Sequence, residues 1–207
     1  SVLDPGMHQR MTQLTNDVFA QYFANEAFST QVGVTNDEWT SSYYSSYHSR
    51  FIANLNEGIR LGWASAAAGK PLNETQIARI WRVWVFSRAT DIWGDIPYFN
   101  AANGTGDNPD YDDQELIYMD MFKELKEAVD SLSTDNPAQI VGQDYVFNDD
   151  IALWKKFGNS LRLRLALRIS EVDAVTAKAE AESAVAAGVM SSSAESCLVT
   201  RTATFGW

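Results

Sequence analysis

The chain has 207 residues and a net charge of −11, which comes from 27 acidic and 16 basic side chains. Such a field repels phosphate backbones and anionic membrane surfaces, so nucleic acid is a poor partner and neutral ligands are favoured. Hydrophobic residues make up 45% of the chain, in the range of folded globular proteins, and its single cysteine cannot form an internal disulfide.

No stretch approaches the roughly 18 apolar residues of a membrane span. No basic segment precedes a short apolar one, so no signal peptide is recognised; because the chain opens at Ser1 without a methionine, we expect that any export signal or lipid-bearing cysteine has been removed. The unusual feature is the aromatic content of 12%, with seven Trp residues. These rings either fill the core or serve as flat platforms for the C–H faces of sugar rings.

Apolar residues recur at helical spacing almost throughout. A stripe at i, i+3, i+4 and i+7 predicts a first helix over residues 7–28, and a polar loop follows over residues 29–37. A second helix is predicted from Trp39 to Ala68, where Gly69 and Pro71 end it. Its stripe consists of Tyr43, Tyr44, Tyr47, Phe51, Leu55, Ile59 and Trp63.

A third helix is predicted from Asn73 to Trp93, with Gly94 as its left-handed cap and Pro97 blocking continuation. We expect it to be covered on most sides, because Val83 and Phe86 lie off its main apolar face. That face consists of Ile77, Ile80, Trp81, Trp84 and Val85.

A Gly/Asn/Asp/Pro loop over residues 100–111 separates this helix from the next one. Asp112, with Glu115 at the reciprocal position, is predicted to cap the new helix. Its narrow apolar seam is typical of packing against one partner helix, and consists of Tyr118, Phe122, Leu125, Val129 and Leu132.

The segment 151–170 admits two interpretations, because residues 160–165 alternate as a strand would. The longer window fits a helix, and Leu, Arg and Ala favour helices over strands, so we predict a helix. Ser170, with Asp173, then predicts the cap of an Ala-rich helix that ends at Gly188. From residue 39 onward the predicted fold is therefore all-α, with tetratricopeptide-like helical hairpins forming one layer joined by irregular loops.

Four segments in order resemble the SusD/RagB family. The most specific lies over residues 79–99, where Arg79–Trp84 is followed by Thr90–Tyr98 (TDIWGDIPY). The others are Tyr47–Ile59, Pro109–Leu125 and Trp154–Arg164. Together they cover roughly residues 40–170. The signature turn of the family is matched by Trp93, Gly94, Asp95, Pro97 and Tyr98.

The resemblance implies the N-terminal part of a longer outer-membrane lipoprotein of Bacteroidota, with the C-terminal part of the fold missing. Residues 1–207 would form one segment, with a helical-repeat core over about 39–188 and a tail over 189–207. It also implies a surface protein that binds oligosaccharide or another nutrient, partners a TonB-dependent (SusC-like) transporter and performs no chemistry. Contact with the membrane is expected only through an N-terminal lipid anchor that this chain lacks. The alternative is a helical-repeat scaffold that binds protein and no glycan.

Two acidic groups admit both a functional and a structural interpretation. In the functional interpretation, Asp91 and Asp95 form a carboxylate pair beside Trp93 and Tyr98 that clamps sugar hydroxyls or acts as acid and base. In the structural one, both aspartates bind backbone N–H groups of a tight turn, and Trp93 and Tyr98 are buried. The loop 107–113 either provides oxygen ligands for calcium or is a solvated loop with a helix cap. It lacks the twelve-residue EF-hand pattern with its terminal Glu. The structural interpretation is favoured for both.

No metal or cofactor is implied, because His8, His48 and Cys197 lie far apart and form no zinc spacing. The basic run of Lys155, Lys156, Arg162, Arg164 and Arg168 is predicted to neutralise neighbouring acidic helices rather than bind an anion. For ligand contact we single out residues at the start of a helix after a polar loop, where exposed amides and aromatics meet solvent. They are Asn36, Asp37, Glu38, Trp39, Tyr43 and Tyr44.

Overall fold

The residues that the computed structural model describes are 20–22, 37–67, 73–102, 108–135, 142 and 144–198. In chain order, the α-helices of these ranges are α1 (Asp37–Ser46), α2 (Ala53–Ala67), α3 (Asn73–Trp93), α4 (Gln114–Ser131), α5 (Ile151–Arg168) and α6 (Ala174–Ala187). Over the same ranges the strand content is limited to one β-bridge, between Ile96 and Asp112. The all-α prediction is confirmed. None of the described helices is long and apolar enough to cross a bilayer.

Successive helices pack against each other as hairpins: α2 on α3, α3 on α4, α4 on α5, and α5 on α6. Helix α3 is central, because it also contacts α5. Val83 and Phe86 are buried together with Ile80 and Val85, so the prediction that this helix is covered on most sides is confirmed. The seam of α4 is buried from Tyr118 to Leu132 as predicted, but the buried face is wider than a narrow seam because α4 packs against both α3 and α5.

The predicted second helix is interrupted by a wider turn. Residues Tyr47–Ile52 are π-helical, and the Ala53 N–H donates to the carbonyl of His48, five residues earlier. A π-turn inserts one residue into the helical repeat, which shifts the buried face. Phe51 and Ile52, although adjacent in sequence, are therefore both buried.

Residues 151–168 are helical, so the choice of helix over strand is confirmed. Burial of Trp154, Leu161 and Leu165 at helical spacing explains why the local alternation misleads. Three cations of the basic run pair as predicted, and these pairs are Lys156–Glu195, Arg162–Glu180 and Arg168–Asp91.

Three sequence expectations need correction or fall outside the described ranges. The first helix, predicted over residues 7–28, lies mostly outside them; the described residues 20–22 form a turn, with Gln21 at a φ of 62°, so an unbroken helix is wrong there. Ser170 does not begin the last helix, because its hydroxyl donates back to the Leu167 carbonyl. The N-cap is Asp173, whose carboxylate accepts the Thr176 N–H.

Asp112 does not cap α4 either. The helix begins at Gln114, and Asp112 instead accepts the backbone N–H groups of Tyr98 (2.8 Å) and Phe99 (3.0 Å). The N–H of Gln114 is satisfied from the preceding turn, where it donates to Asp95 at 2.9 Å. A local capping rule fails here because the acceptor comes from a distant segment.

Candidate functional site

The turn after α3 fixes the geometry of the region that the sequence singled out. Gly94 adopts a φ of 73° and its N–H donates to the Thr90 carbonyl at 2.8 Å, which closes the helix. Ile96 then pairs with Asp112, so the two arms of the loop run side by side. Asp95 accepts the Gln114 N–H, as the structural interpretation of this turn predicts, whereas Asp91 bonds to side chains and the Trp93 ring is only half-buried.

Trp93, the last residue of α3, packs into a cluster of tyrosines on α1 and on the π-helical turn that follows it. Its ring centroid lies 5.7 Å from that of Tyr43, 5.1 Å from Tyr44 and 5.7 Å from Tyr47. Tyr43 and Tyr47 are buried and share a hydrogen bond of 3.1 Å between their hydroxyls. They form a rigid base beneath the more exposed rings.

Three rings above this base reach solvent, and we call Tyr44, Trp93 and Tyr111 the aromatic surface. The Tyr44 hydroxyl donates to the Tyr111 hydroxyl at 3.2 Å, and the Tyr44 ring meets Trp93 edge to face at 89°. Tyr111 is 64% exposed, whereas Tyr44 and Trp93 are half-buried. The arrangement offers flat apolar faces bordered by hydroxyl groups.

The aromatic surface carries no formal charge near neutral pH. Burial, followed by the hydrogen bond and charge interaction with Tyr111, raises the pKa of Tyr44 above its ordinary value. Beside it, the His48 ring lies 4.4 Å from Tyr44, and burial lowers the pKa of that imidazole. Neutral phenols and a neutral imidazole suit a polar, uncharged ligand with apolar faces.

The predicted ligand residues that the structure describes lie in three different places. Tyr44 lies on the aromatic surface, whereas Tyr43 is in the core beneath it. At the start of α1, Asp37 is exposed and Trp39 is half-buried. Asn36 lies outside the described residues. Sequence reasoning missed Tyr111, and its one available signal was a lone aromatic in a polar loop.

Asp91, considered above as a partner of Asp95 in a functional carboxylate pair, instead forms an ion pair with an arginine. It accepts a hydrogen bond from the Tyr118 hydroxyl at 2.6 Å and pairs with Arg168 at 2.9 Å. Burial and the interaction with Asp91 raise the pKa of Tyr118 to about 12. These groups line a pocket of about 460 Å³ between α4 and the end of α5. Asp95 instead accepts the Gln114 N–H at the start of α4, so the two carboxylates have different partners.

Within the described ranges, no group of three or more His, Cys, Asp or Glu side chains could hold a metal ion. In the loop 107–113, for which calcium binding is the less favoured interpretation, Asp112 is engaged by two backbone N–H groups. Asp107 lies outside the described residues.

Several solved structures are similar to this chain in both sequence and architecture. The family model SusD-like_2, described as "Starch-binding associating with outer membrane", matches residues 3–206. A chitin-binding protein is 32% identical with a TM-score of 0.82, over 93% of this chain and 42% of that chain. A SusD homolog from Parabacteroides distasonis is 34% identical with a TM-score of 0.81, over 91% of this chain and 37% of that chain.

A chitin-binding SusD homolog from Flavobacterium johnsoniae is 28% identical with a TM-score of 0.72, over 89% of this chain and 39% of that chain. The chain thus spans less than half the length of the solved structures it matches. No curated protein matches it.

Proposed function

Because the chain belongs to the SusD-like family, we propose that it is part of a binding protein that captures glycan at the outer-membrane surface of a Bacteroidota cell and performs no reaction. The aromatic surface is the observation that carries the proposal, since uncharged rings bordered by hydroxyls suit sugars. Two structural relatives are named as chitin-binding, which supports glycan as the ligand class. A lipid anchor and a TonB-dependent, SusC-like transporter as partner complete the proposal.

Binding would use Tyr111 as the outermost platform. Its ring is exposed, and the hydrogen bond from Tyr44 holds it in place, so little side-chain entropy is lost when a sugar stacks on it. Asp37 and Trp39, at the start of α1, and Asn36, which precedes them in the sequence, are proposed as neighbours that contact sugar hydroxyls. Tyr43 acts indirectly, by supporting Trp93 from below.

The test is affinity electrophoresis against a panel of soluble polysaccharides, followed by titration calorimetry with chitin oligosaccharides. We expect Tyr111→Ala to weaken glycan binding by about three- to tenfold, which corresponds to the loss of one stacking contact. Tyr111→Phe keeps the ring and should retain most of the affinity. Tyr145→Ala is the matched control, because Tyr145 is also a loop tyrosine and is 77% exposed.

Two outcomes would reject the proposal. If no glycan retards the protein, the scaffold that binds only another protein is the better description. If reducing ends are released from any substrate, the protein is an enzyme. Equal losses from Tyr111→Ala and Tyr145→Ala would place the binding site away from the aromatic surface.

A further inference from the structure

A second pocket, between α3 and α5, differs in charge from the rest of the chain. It encloses about 270 Å³ and is lined by Trp84, Ser87, Arg88, Asp91, Ile92, Leu161, Arg164, Leu165 and Arg168. Three arginines against one aspartate leave a local charge of +2 in a chain whose net charge is −11. We call this site the arginine pocket.

Two of its three guanidinium groups have no carboxylate partner among the described residues. Arg168 is paired with Asp91 at 2.9 Å. The guanidinium of Arg88 instead lies over the Trp84 ring, 5.7 Å from its centroid, and interacts with the Tyr47 hydroxyl. Arg164 is exposed, and none of the ion pairs in the described ranges includes it.

Most other arginines in the described ranges are neutralised. Arg60, Arg79, Arg82 and Arg162 each pair with a glutamate. The prediction that the basic run neutralises acidic neighbours therefore leaves two of its cations, Lys155 and Arg164, outside the ion pairs of the described ranges. The overall negative charge does not prevent anion binding here, because salt screens exposed charges beyond about 8 Å at physiological ionic strength.

We propose that the arginine pocket binds the carboxylate of an acidic sugar, that is, one uronic acid unit of a glycan. Planar guanidinium groups match a carboxylate with paired N–H donors. Ile92, which is 40% exposed, provides an apolar contact for the C–H groups of a pyranose ring. The volume lies below the roughly 300–1,000 Å³ of sites for drug-sized ligands, which suits one sugar unit. The inference that the pocket binds a carboxylate is independent of the proposed function. The further step, that a sugar carries this carboxylate, rests on it.

The test compares trigalacturonate with its carboxyl-reduced, neutral counterpart by titration calorimetry on the 207-residue chain at physiological salt. We expect the acidic trisaccharide to bind at least tenfold more tightly than the neutral one. Arg164→Gln should weaken binding of the acidic sugar by about tenfold, the loss of one charge-assisted interaction. Arg164→Lys should bind the acidic sugar with an affinity between those of the parent chain and Arg164→Gln, because the charge remains and the paired donors are lost.

Arg50→Gln is the matched control, because Arg50 is also an exposed arginine on a helix. Thermal melts check that each variant stays folded, and Arg164 is suited to this because it forms no ion pair in the described ranges. A second variant, Arg88→Gln, removes the other guanidinium that has no carboxylate partner, on the opposite wall of the pocket, and should also weaken binding of the acidic sugar.

Several results would overturn the inference. Equal affinity for the acidic and neutral trisaccharides would remove the role of the carboxylate. Equal losses from Arg50→Gln and Arg164→Gln would indicate general charge attraction, and equal affinity for triglutamate would indicate a pocket for protein carboxylates. If a neutral glycan binds in a Tyr111-dependent manner and trigalacturonate does not bind, the inference fails while the proposed function stands.

Discussion

Two glycines in similar helical settings should respond in opposite ways to the same substitution. Gly158, in the middle of α5, faces the neighbouring helices: a Cβ there would lie 2.5 Å from Val129 Cγ2 and 3.3 Å from Ile80 Cδ1. Gly58, in α2, is exposed, and a Cβ there would meet nothing within 4 Å. Gly158→Ala is the perturbation and Gly58→Ala is its control.

The magnitudes follow from two opposing effects. Alanine in a helix interior is favoured over glycine by about 1 kcal/mol, and this gain applies at both positions. Overpacking a dense core costs about 1–3 kcal/mol, and only Gly158→Ala incurs it, because the β-branched side chain of Val129 is stiff in a helix. The net expectation is about 1 kcal/mol of lost stability for Gly158→Ala and about 1 kcal/mol gained for Gly58→Ala.

Differential scanning calorimetry or urea unfolding separates the two outcomes. For a chain of this size, about 1 kcal/mol corresponds to a shift in Tm of about 2–4 °C, downward for Gly158→Ala and upward for Gly58→Ala. If Gly158→Ala melts at or above the parent temperature, then α4 and α5 separate at no cost. In that case the close approach inferred at Gly158 is not a constraint on the core.

Three further predictions each concern one side chain. Asp95→Ala should lower the free energy of unfolding by about 1 kcal/mol because the N–H of α4 loses its acceptor, whereas Asp113→Ala, at a cap position without a side-chain bond, should change it by less than about 0.5 kcal/mol; urea titrations compare them. Because folding lowers the pKa of His48, its contribution to stability is complete above about pH 6.5 and declines as the pH falls through that value, so His48→Gln should flatten the loss of stability between pH 7 and 5 relative to the parent. Asp144→Ala should cost about 2–4 kcal/mol in urea unfolding, since its carboxylate accepts three backbone N–H groups and the Trp154 indole N–H at 2.7 Å; a loss below about 1 kcal/mol would contradict this accounting.

The fold was predictable where a helix depends on its own periodicity. The bounds of α3 follow from an apolar pattern that ends at Gly94, whose positive φ only glycine adopts easily. The helix over α5 was predictable because its buried residues recur over a long window. The capping errors have a different origin: the N–H of Gln114 is satisfied by Asp95, 19 residues earlier in the chain, and no local rule contains that information.

The candidate site was predictable only in part, for the same reason. Tyr44 was singled out as a ligand residue and Trp93 as part of a turn, yet no pattern indicated that they touch. Tyr111 lies 67 residues from its hydrogen-bond partner Tyr44, so only the tertiary fold brings the two together. Arg164 was interpreted correctly as basic and incorrectly grouped with residues that form ion pairs, because helical spacing alone does not show which carboxylates lie opposite.

The turn after α3 connects scaffold and surface in a way that bears on binding. Asp112 holds the backbone of Tyr98 and Phe99, and its neighbour in the chain, Tyr111, accepts the hydrogen bond from Tyr44. Trp93 ends a helix that is buried along most of its length, so it is equally constrained. A ligand that stacks on these rings meets groups whose positions are already set, and the entropy lost on binding is correspondingly small. If the aromatic surface binds glycan as proposed, we expect residues that only stabilise the turn to contribute to affinity without touching the ligand.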